Sequence, residues 1–234
     1  MPKTQAALLS SITQTFSRDR ISKYHQPGDT AKDVLARYTW NIMLCEALYP
    51  ALQNLEVAMR NSMHAAISGP SGYNRLDWYD HPGLLLPNEN KAVTKAKNIL
   101  VNKGRNLTPG RIIAELSFGF WTTLFDRPYE TKPGDPRLWP RLLIEVLPNM
   151  PSSDRTRANA LSRFNSIREL RNRVSHHEPI HHLPDLDARH QQILDAISWI
   201  STDARDLTTL FDRFVLVHAG GKAYCTSHLD LIAT

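Results

Sequence analysis

The chain has 234 residues, which is enough to bury a substantial core in one domain or at most two. With 41% hydrophobic and 22% charged residues, its composition is that of a globular protein and excludes the disordered and fibrous classes. The formal net charge of +5 is compatible with a polyanionic partner, although many globular proteins are equally basic.

Cysteine usage and apolar runs indicate a cytoplasmic protein. Only two cysteines are present, Cys45 and Cys225, which is too few for a disulfide framework or a zinc site built from cysteine alone. The first residues lack the charged and apolar regions of a signal peptide. No apolar stretch approaches the ~20 residues that a membrane span requires. We therefore expect neither secretion nor a membrane partner.

The first half of the chain shows apolar residues at helical spacing. The segment from Ala7 to Phe16 predicts a short amphipathic helix. A long helix is predicted from about Thr30, with Asp33 at the capping-box position. Its apolar stripe consists of Leu44, Leu48, Ala51, Leu55, Met59, Ser62 and Ala66. Pro50 lies within this helix and predicts a bend or a break, because a proline inside a helix removes a hydrogen bond.

The remainder of the chain is also predicted to be helical. Residues 70–88 indicate a loop carrying Trp78 and Tyr79. Five further helices are predicted: 89–102, 109–125, a short one ending at 147, 152–174 and 186–214. We assign no structure to the tail after about residue 214. Neither a repeat nor a low-complexity linker appears, so residues 1–234 are expected to form a single all-α domain.

One predicted helix end carries several side chains that could take part in catalysis. Its sequence is Arg171-Asn172-Arg173-Val174-Ser175-His176-His177-Glu178-Pro179. Arginine holds phosphate as a permanent planar cation, and histidine can exchange a proton near neutral pH. Such groups form a minimal set for cutting RNA without a metal. The same part of the chain is rich in arginine: Arg155, Arg157, Arg163, Arg168, Arg171 and Arg173.

Arg171 is predicted to lie inside the apolar stripe of its helix. With Phe164 at zero on a wheel of about 100° per residue, Ile167 falls at about 300° and Arg171 at about 340°. Burying an unpaired guanidinium costs several kcal/mol, so Arg171 needs a carboxylate, a cavity or a ligand phosphate. Glu56 is a candidate carboxylate. A structural salt bridge and an anion site both remain open at this point.

The position of His176 raises a geometric problem. On a continuous helix it lies about 140° from Arg171, too far apart for both side chains to address one phosphate by default. A helix that frays near Ser175, or two chains that meet here, would solve it. Pro179 favours an early helix end. Five of the ten histidines fall between residues 176 and 190. We favour a solvated histidine-rich loop over a metal site.

Three ordered blocks resemble a known family. Arg171-Asn172-x-x-x-His176 resembles the Arg-x(4–6)-His signature of the HEPN superfamily, and residues 177–180 resemble its extension in the Abi-like (abortive infection) proteins. Residues 38–61 resemble the family's N-terminal block, and residues 116–130 resemble its central block. The resemblance covers about residues 35–180, and the tail after about 214 lies outside it.

The resemblance implies both a fold and a function. The fold would be an all-α, HEPN-like helical bundle with additional helices, forming a homodimer with a composite active site. The function would be metal-independent, cofactor-free endoribonuclease activity against RNA, used as a toxin or phage-defence effector. A toxin role would add an antitoxin to the partners. The alternatives are a non-catalytic RNA-binding or regulatory HEPN module, and a purely structural helical dimer.

The resemblance also carries residue roles onto this chain. The catalytic set would be Arg171, Asn172 and His176, with His177 as an alternative histidine because the family's spacing varies. The additional site residues would be Glu56, Arg60 and Asn61. Two other groups of residues have a structural interpretation beside a functional one. The aromatic residues between Phe118 and Phe125 are expected to pack in the core or at a dimer interface rather than to form a base-stacking platform. For Arg155, Arg157 and Arg163, guidance of RNA and a solvated helix face are equally expected.

Overall fold

The computed structural model describes residues 4–135 and 137–231 of the chain. These residues form α-helices, two short 3-10 turns and no β-strand, which confirms the all-α prediction. The helices are α1 Gln5–Phe16, α2 Arg18–Ser22, α3 Ala31–Ser68, α4 Pro87–Asn102, α5 Pro109–Glu115, α6 Phe118–Thr123, α7 Leu143–Val146, α8 Arg157–Ser175, α9 Leu186–Ile200, α10 Thr202–Leu210, α11 Phe214–Gly220 and α12 Ala223–Asp230. Over the described range, no helix is both long enough and apolar enough to cross a membrane.

The chain forms two compact units. The first comprises Met1–Ala51, Leu170–Gln191 and Phe211–Thr234. The second comprises Leu52–Glu169 and Gln192–Leu210. Because α3, α8 and α9 each pass from one unit to the other, both units depend on the same long helices. The prediction of a single domain stays a prediction.

Helix α3 begins where the sequence predicts. The backbone N–H of Thr30 donates to Asp33 Oδ2 at 3.1 Å, and the backbone N–H of Asp33 donates to Thr30 Oγ1 at 3.2 Å. This reciprocal pair is a capping box. The predicted alternative of a break at Pro50 is wrong, because α3 is continuous from Ala31 to Ser68. Pro50 lies on the exposed face, where water can satisfy the carbonyl that loses its partner.

Two predicted helices are interrupted by serine caps. The predicted helix 109–125 is α5 and α6, because Leu116 is extended and the Ser117 hydroxyl accepts from the Phe120 N–H at 3.3 Å. The predicted helix 186–214 is α9 and α10, because Ser201 Oγ accepts from the Ala204 N–H at 3.2 Å. A serine oxygen that satisfies the first N–H groups starts a new helix inside an apolar run.

Other boundaries also differ from the sequence prediction. Helix α8 begins at Arg157 rather than near residue 152. Helices α2, α11 and α12 were not predicted. The tail joins the first unit through the Lys222 ammonium, which lies 2.7 Å from Asp33 Oδ1, and through the indole N–H of Trp40, which donates to the Val217 carbonyl at 3.1 Å.

Aromatic residues form the core of the second unit. Phe125 stacks on Trp139 with centroids 4.6 Å apart and on Phe164 at 5.2 Å. Trp78 and Tyr79, predicted to lie in a loop, belong to a 3-10 turn and are buried. The aromatic residues from Phe118 to Phe125 are buried, which confirms their assignment to the core.

Candidate active site at the end of helix α8

Helix α8 presents an apolar face with an arginine beside it. Phe164, Ile167 and Val174 are buried, as the wheel predicts. Arg171 is half-buried and already interacts with another group, and the neighbouring Asn172 is exposed. A partly buried guanidinium that keeps some access to solvent can serve an incoming anion as well as a structural partner.

The end of α8 is a Schellman motif with a histidine in the left-handed position. His177 has a φ of 57°. Its N–H donates to the Val174 carbonyl at 3.1 Å, and the N–H of Glu178 donates to the Arg173 carbonyl at 2.8 Å. Glycine usually occupies this position, since a side chain there costs about 1 kcal/mol. The backbone therefore turns away from the helix axis at His177.

His176 remains on the helical path. It is exposed, and its N–H donates to the Asn172 carbonyl at 2.9 Å, the ordinary bond of a helix. Although α8 ends at Ser175, the chain does not unwind before His176. The offset of about 140° from Arg171 therefore persists in one chain. Fraying near Ser175, one of the two expected solutions to this geometry, does not occur.

Two arginines hold the turn that follows. Arg20 Nη2 donates to the His177 carbonyl at 2.8 Å, and Arg173 Nη1 donates to the Pro179 carbonyl at 3.2 Å. Both cations lie at the C-terminal end of a helix, where the partial negative charge of the helix dipole favours them. Neither role was predicted from the sequence.

Asn41 fixes the loop after the turn. Its side chain is buried, and Oδ1 accepts from the Ile180 N–H at 2.7 Å and from the His181 N–H at 3.1 Å. One amide oxygen thus satisfies two backbone donors from a segment 139 residues away in sequence. The sequence alone did not predict this role for Asn41. The feature that could have indicated it is the position of this amide, three residues before Leu44 on the buried face of α3.

His181 is held in a setting unlike that of His176. Its ring stacks on Tyr24 with centroids 5.2 Å apart and an interplanar angle of 24°. Burial, together with the nearby His182 and Arg37, lowers the pKa of His181 to about 4. The side chain is therefore neutral near neutral pH. It packs the loop rather than taking part in proton transfer.

The histidine-rich loop has several separate roles. Among the described residues, no group of three or more histidine, cysteine, aspartate or glutamate side chains could hold a metal ion. His190 instead lies with Nε2 2.5 Å from Asp212 Oδ2, and both side chains are buried. His177 occupies the turn, His181 packs, and His176 and His182 are exposed.

The three additional residues expected at the site lie on α3, in the second unit. Glu56 is half-buried and interacts with another group, Arg60 is half-buried, and Asn61 is exposed. Arg171, Asn172, His176 and His177 lie in the first unit. The participation of Glu56, Arg60 and Asn61 stays a prediction.

A family model matches most of the chain. The family model for Abi-like proteins matches residues 8–182. This span includes α3, α8 and residues 177–181, to which Arg20, Arg173 and Asn41 bond. Searches of curated proteins and of solved structures found no match.

Proposed function

The chain belongs to the family of Abi-like proteins, and from this premise we propose that it is a metal-independent endoribonuclease of the HEPN type. Membership of this family suggests a role in abortive infection, a form of phage defence. The proposed role is that of a cytoplasmic toxin or effector that cuts RNA and requires no cofactor. An antitoxin is then a natural partner.

The observation that supports this proposal most is the set of hydrogen bonds that fixes the turn after α8. The turn after His176 is fixed by two arginine–carbonyl bonds and by the buried Asn41 amide, although His177 costs strain there. These bonds fix the loop that directly follows the exposed His176.

The chemistry follows from what RNA provides. The ribose 2′-hydroxyl is the nucleophile, so the protein has to move protons and stabilise charge. His176 accepts the 2′-hydroxyl proton as the oxygen attacks the phosphorus, and Arg171 stabilises the charge on the phosphorane. Asn172 orients the phosphate. The P–O5′ bond breaks, and the products are a 2′,3′-cyclic phosphate and a free 5′-hydroxyl.

A second copy of the chain completes the site in this proposal. The leaving 5′-oxygen needs a proton donor, and one α8 helix keeps His176 about 140° away from Arg171. In a homodimer, the His176 of the second copy protonates the leaving oxygen on the opposite side of the phosphate. Glu56, Arg60 and Asn61 stay additional site candidates in this proposal.

A cleavage assay with chelator present tests the proposal. Because each general acid or base contributes roughly 10²- to 10⁴-fold, His176→Ala and Arg171→Ala should each lose at least two orders of magnitude in rate. His182→Ala and Arg189→Ala are the matched controls and should cut RNA like the native chain. Cleavage that survives both active-site substitutions would overturn the assignment.

Other outcomes of the same assay separate the alternatives. If His177→Ala abolishes cleavage while His176→Ala does not, the catalytic histidine is His177. Loss of cleavage on chelation would instead point to a metal enzyme. RNA that is bound with a steep salt dependence but never cut would identify the non-catalytic RNA-binding module.

A further inference from the structure

A cavity of about 450 Å³ lies in the second unit, between the first half of α8 and the helix α9. Its apolar surfaces are the buried Met150 and the half-buried Trp199. Its polar walls are Asn159, Ser162, Ser166 and Gln192. Ligand sites in proteins typically combine apolar surfaces with a few polar groups in a cavity of this size.

The Arg163 guanidinium lies over the Trp199 ring at this cavity. The Arg163 guanidinium carbon lies 4.9 Å from the centroid of the Trp199 ring. Trp199 is fixed in turn by an edge-to-face contact with Phe164, with centroids 6.4 Å apart and an angle of 90°. The Arg163 side chain keeps 26% of its surface exposed. A flat ligand can therefore continue the stack on the open side of the guanidinium.

The charges around Arg163 favour a neutral planar group over a phosphate. Asp195 lies 3.5 Å from Arg163 Nη1 and is 46% exposed, which makes a weak ion pair. Asp154 also lines the cavity. One arginine accompanied by two carboxylates gives no net positive charge to bind a phosphate. It does provide a flat guanidinium surface that is backed by an aromatic ring.

The polar walls offer a complementary donor and acceptor. Ser166 donates its hydroxyl to Gln192 Oε1 at 3.3 Å, and Asn159 donates through Nδ2 to the Asp154 carbonyl at 2.9 Å. These bonds use one end of each amide. The Gln192 amide nitrogen and the Asn159 amide oxygen carry the remaining capacity. A nucleobase edge presents the same combination of acceptors and donors.

We propose that this cavity binds one unstacked base of single-stranded RNA. The base stacks on Arg163, which is backed by Trp199, and its edge pairs with Gln192 and Asn159. This proposal rests on the proposed function in taking RNA as the ligand. Single-stranded RNA is commonly recognised in this way, by bases turned out onto aromatic rings and guanidinium planes.

Arg163 has a different environment from the two arginines that precede it in the sequence. Arg157 pairs with Glu130 at 2.6 Å and donates to the Phe125 carbonyl at 2.8 Å. Arg155 donates to the carbonyls of Pro148 and Met150. These two arginines therefore hold the fold. Of the three that the sequence offered for RNA guidance, Arg163 is the one that lines the cavity.

The test is a binding measurement with RNA that cannot be cut. Fluorescence anisotropy with a labelled, single-stranded 2′-O-methyl RNA of about 12 nucleotides measures affinity without the 2′-hydroxyl that the proposed cleavage requires. Arg163→Ala should weaken binding roughly 5- to 100-fold, the range for loss of one stacked base. Arg163→Lys should weaken it nearly as much, because lysine keeps the charge but cannot stack.

Matched variants make the result decisive. Arg189→Ala removes an arginine with the same 26% exposure and a similar ion pair, and should leave the affinity within about twofold of native. Gln192→Ala should weaken binding without removing core packing. Native affinity in Arg163→Ala, or full affinity in Arg163→Lys, would overturn the proposal, as would a native chain that binds no RNA. Binding that depends on Arg163 in a chain that never cuts RNA would retain the pocket and reject the nuclease.

Discussion

At the scale of single residues, the turn after α8 depends on side chains that local sequence rules do not favour. A histidine occupies the left-handed position of a helix end, and a buried asparagine on a different helix satisfies the loop that follows. The first arrangement costs stability and the second provides it, and both fix the loop that follows His176. The account therefore predicts that stability and activity respond differently to changes at these positions.

Replacing His177 with glycine should stabilise the protein. Glycine adopts a φ of 57° without steric strain, so we expect the free energy of unfolding to rise by about 1 kcal/mol. Urea unfolding measures the change. Asn74→Gly, at a φ of 51°, is the control and should gain less, because asparagine tolerates this conformation. A His177→Gly variant less stable than native would contradict the strain assigned to this turn.

Replacing Asn41 with alanine should have the opposite effect. The N–H groups of Ile180 and His181 would lose their acceptor, at about 1–3 kcal/mol for each buried donor, and the loop beside His176 would lose its fixed position. We expect lower stability in urea and slower RNA cleavage. The control is Asn54→Ala. Asn54 lies on α3 like Asn41, and its replacement removes one hydrogen bond to Thr208 but should leave cleavage unchanged. Native cleavage by Asn41→Ala would show that the loop does not position the site.

The buried ring of His181 predicts a pH dependence of stability. Its pKa is lowered from 6.5 in the unfolded chain to about 4 in the folded protein. Between these values the unfolded chain binds more protons, so stability from this group is complete above pH 6.5 and is lost as the pH falls toward 4. His181→Phe should flatten the decline in unfolding free energy between pH 7 and 5. If the unfolding free energy of His181→Phe declines as steeply as that of the native protein, groups other than His181 cause the decline.

At the scale of elements, local signals predicted some features and long-range contacts determined others. The capping box of α3 involves residues three apart, so Thr30 and Asp33 were readable from the sequence. The Arg171 position on the α8 stripe followed from helical periodicity. The two hydrogen bonds that Asn41 accepts could not be predicted from the sequence, because their donors lie 139 and 140 residues away. The break at Ser117 was hidden inside a continuous apolar run.

The continuity of α3 through Pro50 leads to a prediction about the same helix. A proline inside a helix costs up to about 3 kcal/mol, and Pro50 is exposed and contributes little packing. Pro50→Ala should therefore raise the free energy of unfolding by about 1–3 kcal/mol, measured in urea. Pro109→Ala is the control and should change little, since Pro109 occupies the first turn of α5, where proline is tolerated. A loss of stability in Pro50→Ala would show that α3 requires the proline.

At the scale of the whole molecule, family membership and the α8 end support one account. The family match covers residues 8–182, which contain every residue proposed for catalysis, while α9 to α12 lie beyond it. The chain places Arg171 and His176 on different sides of one helix. The central claim is therefore that two copies of the chain form the nuclease site together.

Mixed dimers test this claim most directly. Native chain and His176→Ala chain, coexpressed with different tags in known ratios, should form dimers in proportion to their abundance. If each site needs His176 from both copies, cleavage should fall as the square of the native fraction, to about one quarter at an equal mixture. A linear fall to about one half would show that each site needs only one native His176 and would contradict the account.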